Sequence, residues 1–249
     1  MTTAENVPGR TAVELANPLL KVTKMYARGG FVVKTCYMDK EFDKMKEIVG
    51  LLEVNTAAAQ EHVAEIERMI WLVKERVRCY TSLLPFPLIP QLVIVHIVYN
   101  VIMWLNPFPP KNGITRGFSP RELVTGRTLD FRKDCRADVG AYVEASPDHI
   151  VTNTNIDRTD SCIALGPSGN RQGSVKCLNL DNGKVLVRRT VRKMPWPDDL
   201  PKKVNVLAKK NIKKAIIRGK DIKFMNRHEK KFDWYNDDID EMNVKEYEV

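Results

Sequence analysis

The apolar residues of the first part of the chain change from helical to extended spacing. The stretch TAVELANPLLKVTKMYA has apolar residues at helical spacing, and Gly29-Gly30 follows as a stop signal. The β-branched run FVVKTCYM predicts a strand that leads into Asp39. A short helix over EFDKMKEIVGLL and a second strand in LLEVNT follow. This order of elements predicts an α/β fold with a central sheet flanked by helices.

A long helix is predicted in EHVAEIERMIWLVKERVRCY. Its apolar side chains lie three or four residues apart and form one stripe, which predicts packing on a flat surface: Val63, Ile66, Ile70, Val73 and Val77. The same segment carries several glutamates. Glu61 falls in the first turn, where a carboxylate favours the helix dipole, and Glu75 falls on the solvated face. Glu65 and Glu67 are the candidates for chemistry.

The run LIPQLVIVHIVYNVIMWLN predicts a second long helix, which ends at PFPP. His96 and Asn100 interrupt its apolar surface, and we interpret them as satisfied polar groups in a helical core. The apolar run falls short of the ~20 residues that a membrane span requires, so we expect no membrane partner. In SPRELVTGR, the serine as N-cap, the proline after it and Gly126 as stop predict a short helix.

The composition changes near Asp138, where short strand-like runs begin. AYVEA, CIALG, SVKCLNL and KVLVRRTV are separated by the turn signals SPD, PSGNRQG and DNG. Runs at this pitch predict a small β-barrel of roughly 60 residues. In the last run we interpret Val185 and Val187 as the inward residues. Arg188 and Arg189 follow them, so one barrel edge should be basic.

The chain is basic, with a formal net charge of +9, which suits a polyanionic partner such as nucleic acid. Past Trp196 a basic run precedes an acidic end. The run predicts a flexible solvated arm or a phosphate-binding arm, and it comprises Lys202, Lys203, Lys209, Lys210, Lys213, Lys214, Arg218, Lys220 and Lys223.

The cysteines are odd in number and form no Cys-x-x-Cys pair. This spacing predicts reduced thiols, and it argues against a disulfide framework or a zinc knuckle. The N-terminus MTTAENVPGR has no apolar core of a secretory signal. We therefore expect a cytoplasmic or nuclear protein.

Several segments occur in a specific order: MDKEF, the ER of the long helix, MWLNPFPP, FSPRELVTGRTLDF, GAYV and CIALGPSGNRQGSVKCLNLDNGKVLVRRTV. Together they resemble the integrase region of a copia-type retrotransposon Pol polyprotein, over roughly residues 3–194. The resemblance implies a truncated ribonuclease-H-like core over 1–110 and a linker with a short helix over 111–137. It also implies a small SH3-like β-barrel over 138–196, and the charged, flexible tail would occupy 197–249.

The resemblance implies an enzyme that joins element DNA to host DNA with carboxylates that hold Mg²⁺ or Mn²⁺. Two such ions stabilise the attacking and leaving oxygens of an in-line displacement at phosphorus. Asp39 matches the family's second aspartate as a metal ligand. Its alternative role is the N-cap of the helix that begins near Glu41.

The family's catalytic glutamate corresponds to Glu67 or, alternatively, to Glu65. The apolar stripe through Val73, Val77 and Tyr80 follows Glu67 in the phase that the family shows after its glutamate, so we favour Glu67 as the second metal ligand. The loop before this helix reads NTAAAQEH, which departs from the family's pattern.

The family's first aspartate and its zinc-binding segment would precede residue 1. The sequence therefore predicts an N-terminally truncated integrase that is inactive alone and binds no metal unless a complementing Pol chain supplies the missing ligand. The alternatives are a DNA- or RNA-binding module without enzymatic activity and a genomic relic without function.

The resemblance also implies a nucleic-acid partner and self-association, to which the helix Leu88–Leu105 would contribute. The candidate DNA contacts lie on the long helix and on the barrel: Lys74, Arg76, Arg78, Arg188, Arg189 and Arg192.

Overall fold

The computed structural model describes residues 1–7, 9–50, 52–56, 64–111, 113–147, 153, 155 and 157–217, and within them the chain is mixed α/β. The helices are α1 (Ala12–Arg28), α2 (Lys46–Val49), α3 (Ala64–Ser82), α4 (Gln91–Leu105), α5 (Pro120–Thr125), α6 (Phe131–Asp134) and α7 (Leu200–Ile217), with a 3-10 helix at Lys40–Met45. The strands are β1 (Thr35–Met38), β2 (Glu53–Thr56), β3 (Tyr142–Ala145), β4 (Asp160–Pro167), β5 (Val175–Asn179), β6 (Val185–Arg188) and β7 (Val191–Lys193).

The N-terminal elements form a small unit with its own core. Thr11 caps α1 in a capping box with Glu14, which satisfies backbone donors at the helix start. β1 and β2 form a parallel pair. Their neighbours α1, the 3-10 helix and α2 bury Ala16, Met45 and Val49. The helix and the two strands predicted for this region are confirmed, and Asp39 directly follows β1.

The second sheet is antiparallel, with the strand order β6-β5-β4-β3-β7. In a flat sheet of this size the two edge strands would lie ~19 Å apart, at ~4.8 Å per neighbouring pair. Only Arg189 and Thr190 connect the edges β6 and β7, and the Cα steps from Arg188 to Val191 span at most ~11 Å. The sheet is therefore curled into a barrel-like shape.

The inner face of the curled sheet is closed by the sheet's own side chains. Cys162 and Cys177 have no exposed surface there, and they pack with small apolar residues of β3, β4 and β5. Leu186 from one edge strand and Val191 from the other contact this same cluster. Apolar side chains from both edges thus meet in one interior, as the short β6–β7 connection requires.

The outer face of the sheet is covered by helices. Side chains of α3, α4 and α7 share one core with Tyr142, Ile163, Leu165 and Leu178 of the strands. Trp196 lies between Phe86 and Tyr142, at ring-centroid distances of 5.4 and 5.7 Å. The predicted domain boundaries stay predictions, but segments 1–110 and 138–196 meet in this shared core.

The prediction for the faces of β6 is wrong. Val185 and Val187 are 43% and 46% exposed, whereas Leu186 packs inside. The run Val-Leu-Val is apolar on both faces, so its sequence does not show which residues point into the barrel. The register decides, because Leu186 lies opposite the buried Cys177, and residues directly opposite each other share a face.

Two helices differ from their predictions. Only the second half of the α3 stripe is covered: Val77 is buried, but Ile66 and Ile70 are each 47% exposed. In the charge run past Trp196, residues 200–217 form α7 instead of a flexible arm, because Leu200 and Val204 are buried in the shared core. Residues 218–249 lie outside the described part of the chain.

Helix α4 is buried within the chain, including Val93, Ile97 and Val101. Contacts within the chain therefore occupy these three side chains, and self-association through this helix stays a prediction. Among the described residues, no helix combines the length and apolarity of a membrane span.

His96 and Asn100 are both 8% exposed, as predicted for polar groups in the core.

His96 should make the protein less stable in mild acid. Burial, reinforced by the positive charge of Lys176, lowers the pKa of His96 from 6.5 to about 4, while a hydrogen bond to the Leu165 backbone opposes the shift. Below pH ~6.5 the unfolded chain binds a proton that the native chain excludes, so the free energy of unfolding falls as pH decreases towards 4. The loss is up to ~3 kcal/mol, at about 1.4 kcal/mol per pKa unit.

Urea unfolding of wild type and His96→Gln between pH 7.5 and about 4.5 measures this loss. The variant should show a shallower decline over this range. An equal decline of the free energy of unfolding with pH in the two proteins would contradict the prediction.

The interior thiols should be chemically inert in the folded protein. Burial, together with the neighbouring Cys177, raises the pKa of Cys162 to about 12, and burial raises the pKa of Cys177 to about 11. Cys79 is exposed. Brief alkylation followed by peptide mass spectrometry should label Cys79 first and the two interior thiols only after unfolding. Equal native labelling of all three would disprove the closed interior.

Candidate nucleic-acid interface

The β6–β7 connection is bound by an arginine from the segment that precedes β3. The Arg136 guanidinium donates from Nη1 to the carbonyl of Arg189 at 2.7 Å and to the carbonyl of Gly173 at 3.0 Å. Gly173 belongs to the β4–β5 loop, and Arg189 belongs to the turn that joins the edge strands. Arg136 therefore fixes two loops of the barrel against the segment that precedes β3.

Cationic side chains gather around this contact. Lys133 packs closely against Gly173, because a Cβ added to this glycine would lie only 2.9 Å from the Cβ of Lys133. The φ of +70° at Gly173 also favours glycine. Arg171 is exposed in the same β4–β5 loop, and Arg189 is exposed in the β6–β7 turn. Lys133 pairs with Asp130 at 3.1 Å. We call Lys133, Arg136, Arg171 and Arg189 the basic corner.

Arg188 differs from its neighbour Arg189. Its side chain is 20% exposed and lies 3.7 Å from the Asp160 carboxylate, measured from Nη2 to Oδ2. Its positive charge also opposes the rise in the pKa of Cys162 and of Cys177. The structure therefore places Arg188 against the barrel interior, where it neutralises Asp160, rather than on the outer edge.

Arg192 extends the basic surface along β7. It is exposed and lies opposite Glu144 in the β3–β7 register. Glu144 accepts hydrogen bonds from Tyr142 and Ser161. The next residue, Lys193, pairs with Asp138 at 2.6 Å between two mostly exposed side chains. Arg189 and Arg192 are thus the two predicted barrel contacts that the structure leaves exposed.

The predicted contacts on α3 do not form one surface. Lys74 and Arg78 are four residues apart and share a helix face, while Arg76 lies on the opposite side. Arg76 and Arg78 are exposed, and Arg78 pairs with Glu75 at 2.5 Å. We therefore treat these residues as predictions separate from the basic corner.

Helix α7 carries part of the basic run beside the β5–β6 hairpin. Lys203 lies 3.6 Å from Asp181 at the hairpin tip, and Leu207 approaches Gly183. Lys202 and Lys210 are exposed. The side chains of Lys213 and Lys214, and the whole of Arg218, Lys220 and Lys223, lie outside the described residues.

Asp39 follows β1, as the resemblance implies for a metal-binding carboxylate, and it is also the N-cap residue of the 3-10 helix. It follows β1 in extended backbone, is exposed, and makes no capping hydrogen bond with its side chain. Glu67 is exposed on α3. Glu65 belongs to the same helix, and its side chain lies outside the described residues.

The metal ligands predicted from the resemblance remain predictions. The described residues bring together no group of three or more His, Cys, Asp or Glu side chains that could hold a metal ion. Asp39 and Glu67 are two carboxylates, whereas the resemblance calls for three. Comparison with protein families and with characterised proteins finds no match for the chain. The resemblance to integrases rests on the quoted motifs alone.

Sequence reasoning missed Lys133, Arg136 and Arg171. Arg136 stands in the short segment DCRAD, which has neither a periodic pattern nor a motif, so nothing distinguishes it from a solvated arginine. Arg136 binds two carbonyls that follow it by 37 and 53 residues along the chain, so its local sequence does not reveal these contacts. The GNRQG turn signal predicted the loop that holds Arg171, but not its position beside the β6–β7 turn.

Arg136→Ala should destabilise the protein by about 1.5–3 kcal/mol, since two carbonyls lose a charged donor. Chemical denaturation measures the change. Arg132→Ala is the matched control, because Arg132 is an exposed arginine on α6 whose side chain carries no such bridge in the described hydrogen bonds. Equal losses for the two variants would show that Arg136 does not hold the barrel together.

Proposed function

We propose that this chain derives from a copia-type integrase and binds the phosphate backbone of nucleic acid through the basic corner and Arg192. The observation that supports it best is that Arg136 and Lys133 lie against the two loops that carry Arg171 and Arg189, where the barrel edges meet. Such a surface attracts phosphates without reading bases. The order of the quoted motifs and the position of Asp39 after β1 also support an integrase origin.

The proposal also includes a specific fold assignment for each of the two sheets. The parallel β1–β2 pair with its helices corresponds to part of a ribonuclease-H-like core, and the curled five-stranded sheet corresponds to an SH3-like barrel. Strand transfer with Mg²⁺ or Mn²⁺ would need a third carboxylate beside Asp39 and Glu67. Nucleic-acid binding does not depend on that third carboxylate.

Duplex binding should weaken when Arg189 and Arg192 lose their charge. Each phosphate contact contributes about 0.9 to the slope of log K against log salt on B-DNA, so Arg189→Gln/Arg192→Gln should lower the slope by up to about 2. Fluorescence anisotropy with a labelled duplex over a range of salt concentrations measures both K and the slope. The substitution keeps the Arg189 carbonyl that Arg136 binds, so the barrel stays closed.

Lys24→Gln/Arg28→Gln is the control, because it removes the same charge from exposed positions of α1. It should leave the slope close to that of the wild type. A wild-type protein that does not bind duplex at low salt would refute the function. Equal effects of the two double variants would refute the site.

A further inference from the structure

The loop between α4 and α5 is pinned at its base. The Arg121 N–H donates to the Asn106 carbonyl at 3.0 Å, which joins the two ends of the loop. Asn106 is 4% exposed, and its side chain both accepts from Thr2 N and donates to Thr2 O, each at 2.8 Å. The structure describes residues 107–111 and 113–118 of this loop. Compact loops with joined ends are frequently functional.

Local hydrogen bonds shape this loop on both sides of its tip. Gly113 N donates to the carbonyl of Pro110 at 3.0 Å. The Thr115 hydroxyl donates to the carbonyl of Phe118 at 3.2 Å and accepts from its N–H at 3.4 Å. The loop therefore presents its side chains from defined turns.

The loop exposes large apolar side chains that the core does not use. Phe108 and Phe118 are 54% and 53% exposed, and Ile114 is 99% exposed. Phe108 stacks on Trp104 with the ring planes 12° apart and the centroids at 6.4 Å. More than half of Phe108 remains accessible in this stack, so its aromatic surface is available to a further planar group.

The charges on this segment of the chain favour an anion. The sequence contains no aspartate or glutamate between Glu75 and Glu122. Lys111 and Arg116 are both exposed in the loop itself. Exposed aromatic rings interleaved with cations are the combination that binds unpaired nucleotides, because bases stack on the rings while phosphates meet the cations.

We propose that the α4–α5 loop binds single-stranded nucleic acid, with unpaired bases stacked on Phe108 and Phe118 and phosphates bound by Lys111 and Arg116. This site goes beyond the duplex binding proposed for the basic corner and lies on different elements.

Fluorescence anisotropy of the full chain with a labelled oligothymidylate of ~20 nucleotides, longer than the site of one binding domain, tests the proposal. Phe108→Ala/Phe118→Ala should weaken single-strand binding by at least ~30-fold, because each of the two lost stacks costs about 1–3 kcal/mol. Duplex binding should change less than twofold. Because both rings are more than half exposed, the melting temperature should change little.

Two controls distinguish base stacking on these rings from a general effect of apolar surface. Phe131→Ala removes a phenylalanine that is 63% exposed on α6, outside the loop, and should not alter binding. Phe108→Leu/Phe118→Leu keeps the apolar bulk and loses the rings, so it should bind as weakly as the alanine variant. Leucine variants that bind like the wild type, or an equal loss in Phe131→Ala, would overturn the proposal.

A membrane surface is the competing partner for exposed apolar and basic side chains. Vesicles of phosphatidylserine and phosphatidylcholine test it by co-sedimentation. Vesicle binding that the leucine variant retains, without single-strand binding by the wild type, would overturn the proposal. Arg189→Gln/Arg192→Gln serves as the cross-check, because it should weaken duplex binding and spare the stacking contribution of the loop. The two proposals can therefore fail independently.

Discussion

The short connection between β6 and β7 is the constraint on which the rest of the barrel depends. With only two residues between them, the edge strands must approach each other, and the sheet curls until Leu186 and Val191 share one interior. The same turn presents the Arg189 carbonyl to Arg136, which links it to the β4–β5 loop. The closure that buries Cys162 therefore also brings the cations of the basic corner together at the surface.

Packing on the outer face of the sheet explains why α4 and α7 carry apolar side chains. Helix α4 is apolar on most of its circumference because it lies against α3 and the sheet, and α7 completes the cover with Leu200 and Val204. Asn205 on α7 accepts a hydrogen bond from the Leu88 backbone at 3.3 Å, so the cover is joined by polar contacts as well. Burial of His96 follows from this packing, and it makes stability depend on pH.

Local signals in the sequence predicted local structure well. Ser119 does cap α5, and Gly126 ends it with a φ of 65°, since each acts within a few residues. The face of Leu186 was not predictable from its neighbours, because the pairing with Cys177 decides it. The charge of α7 obscured the spacing of Leu200 and Val204, whose burial needs a partner surface built by distant residues. The basic corner was missed in part for the same reason, since its members are separated along the chain and meet only after the barrel closes.

The shared core has a consequence for synthesis on the ribosome. Helix α4 is complete at residue 105, but the cover that α7 supplies is not translated until about residue 208. At roughly 5–20 residues per second, the nascent chain carries an uncovered α4 for about 5–20 s. During this interval the apolar helix is available to chaperones and to neighbouring nascent chains. The yield of native protein thus depends on events before α7 emerges.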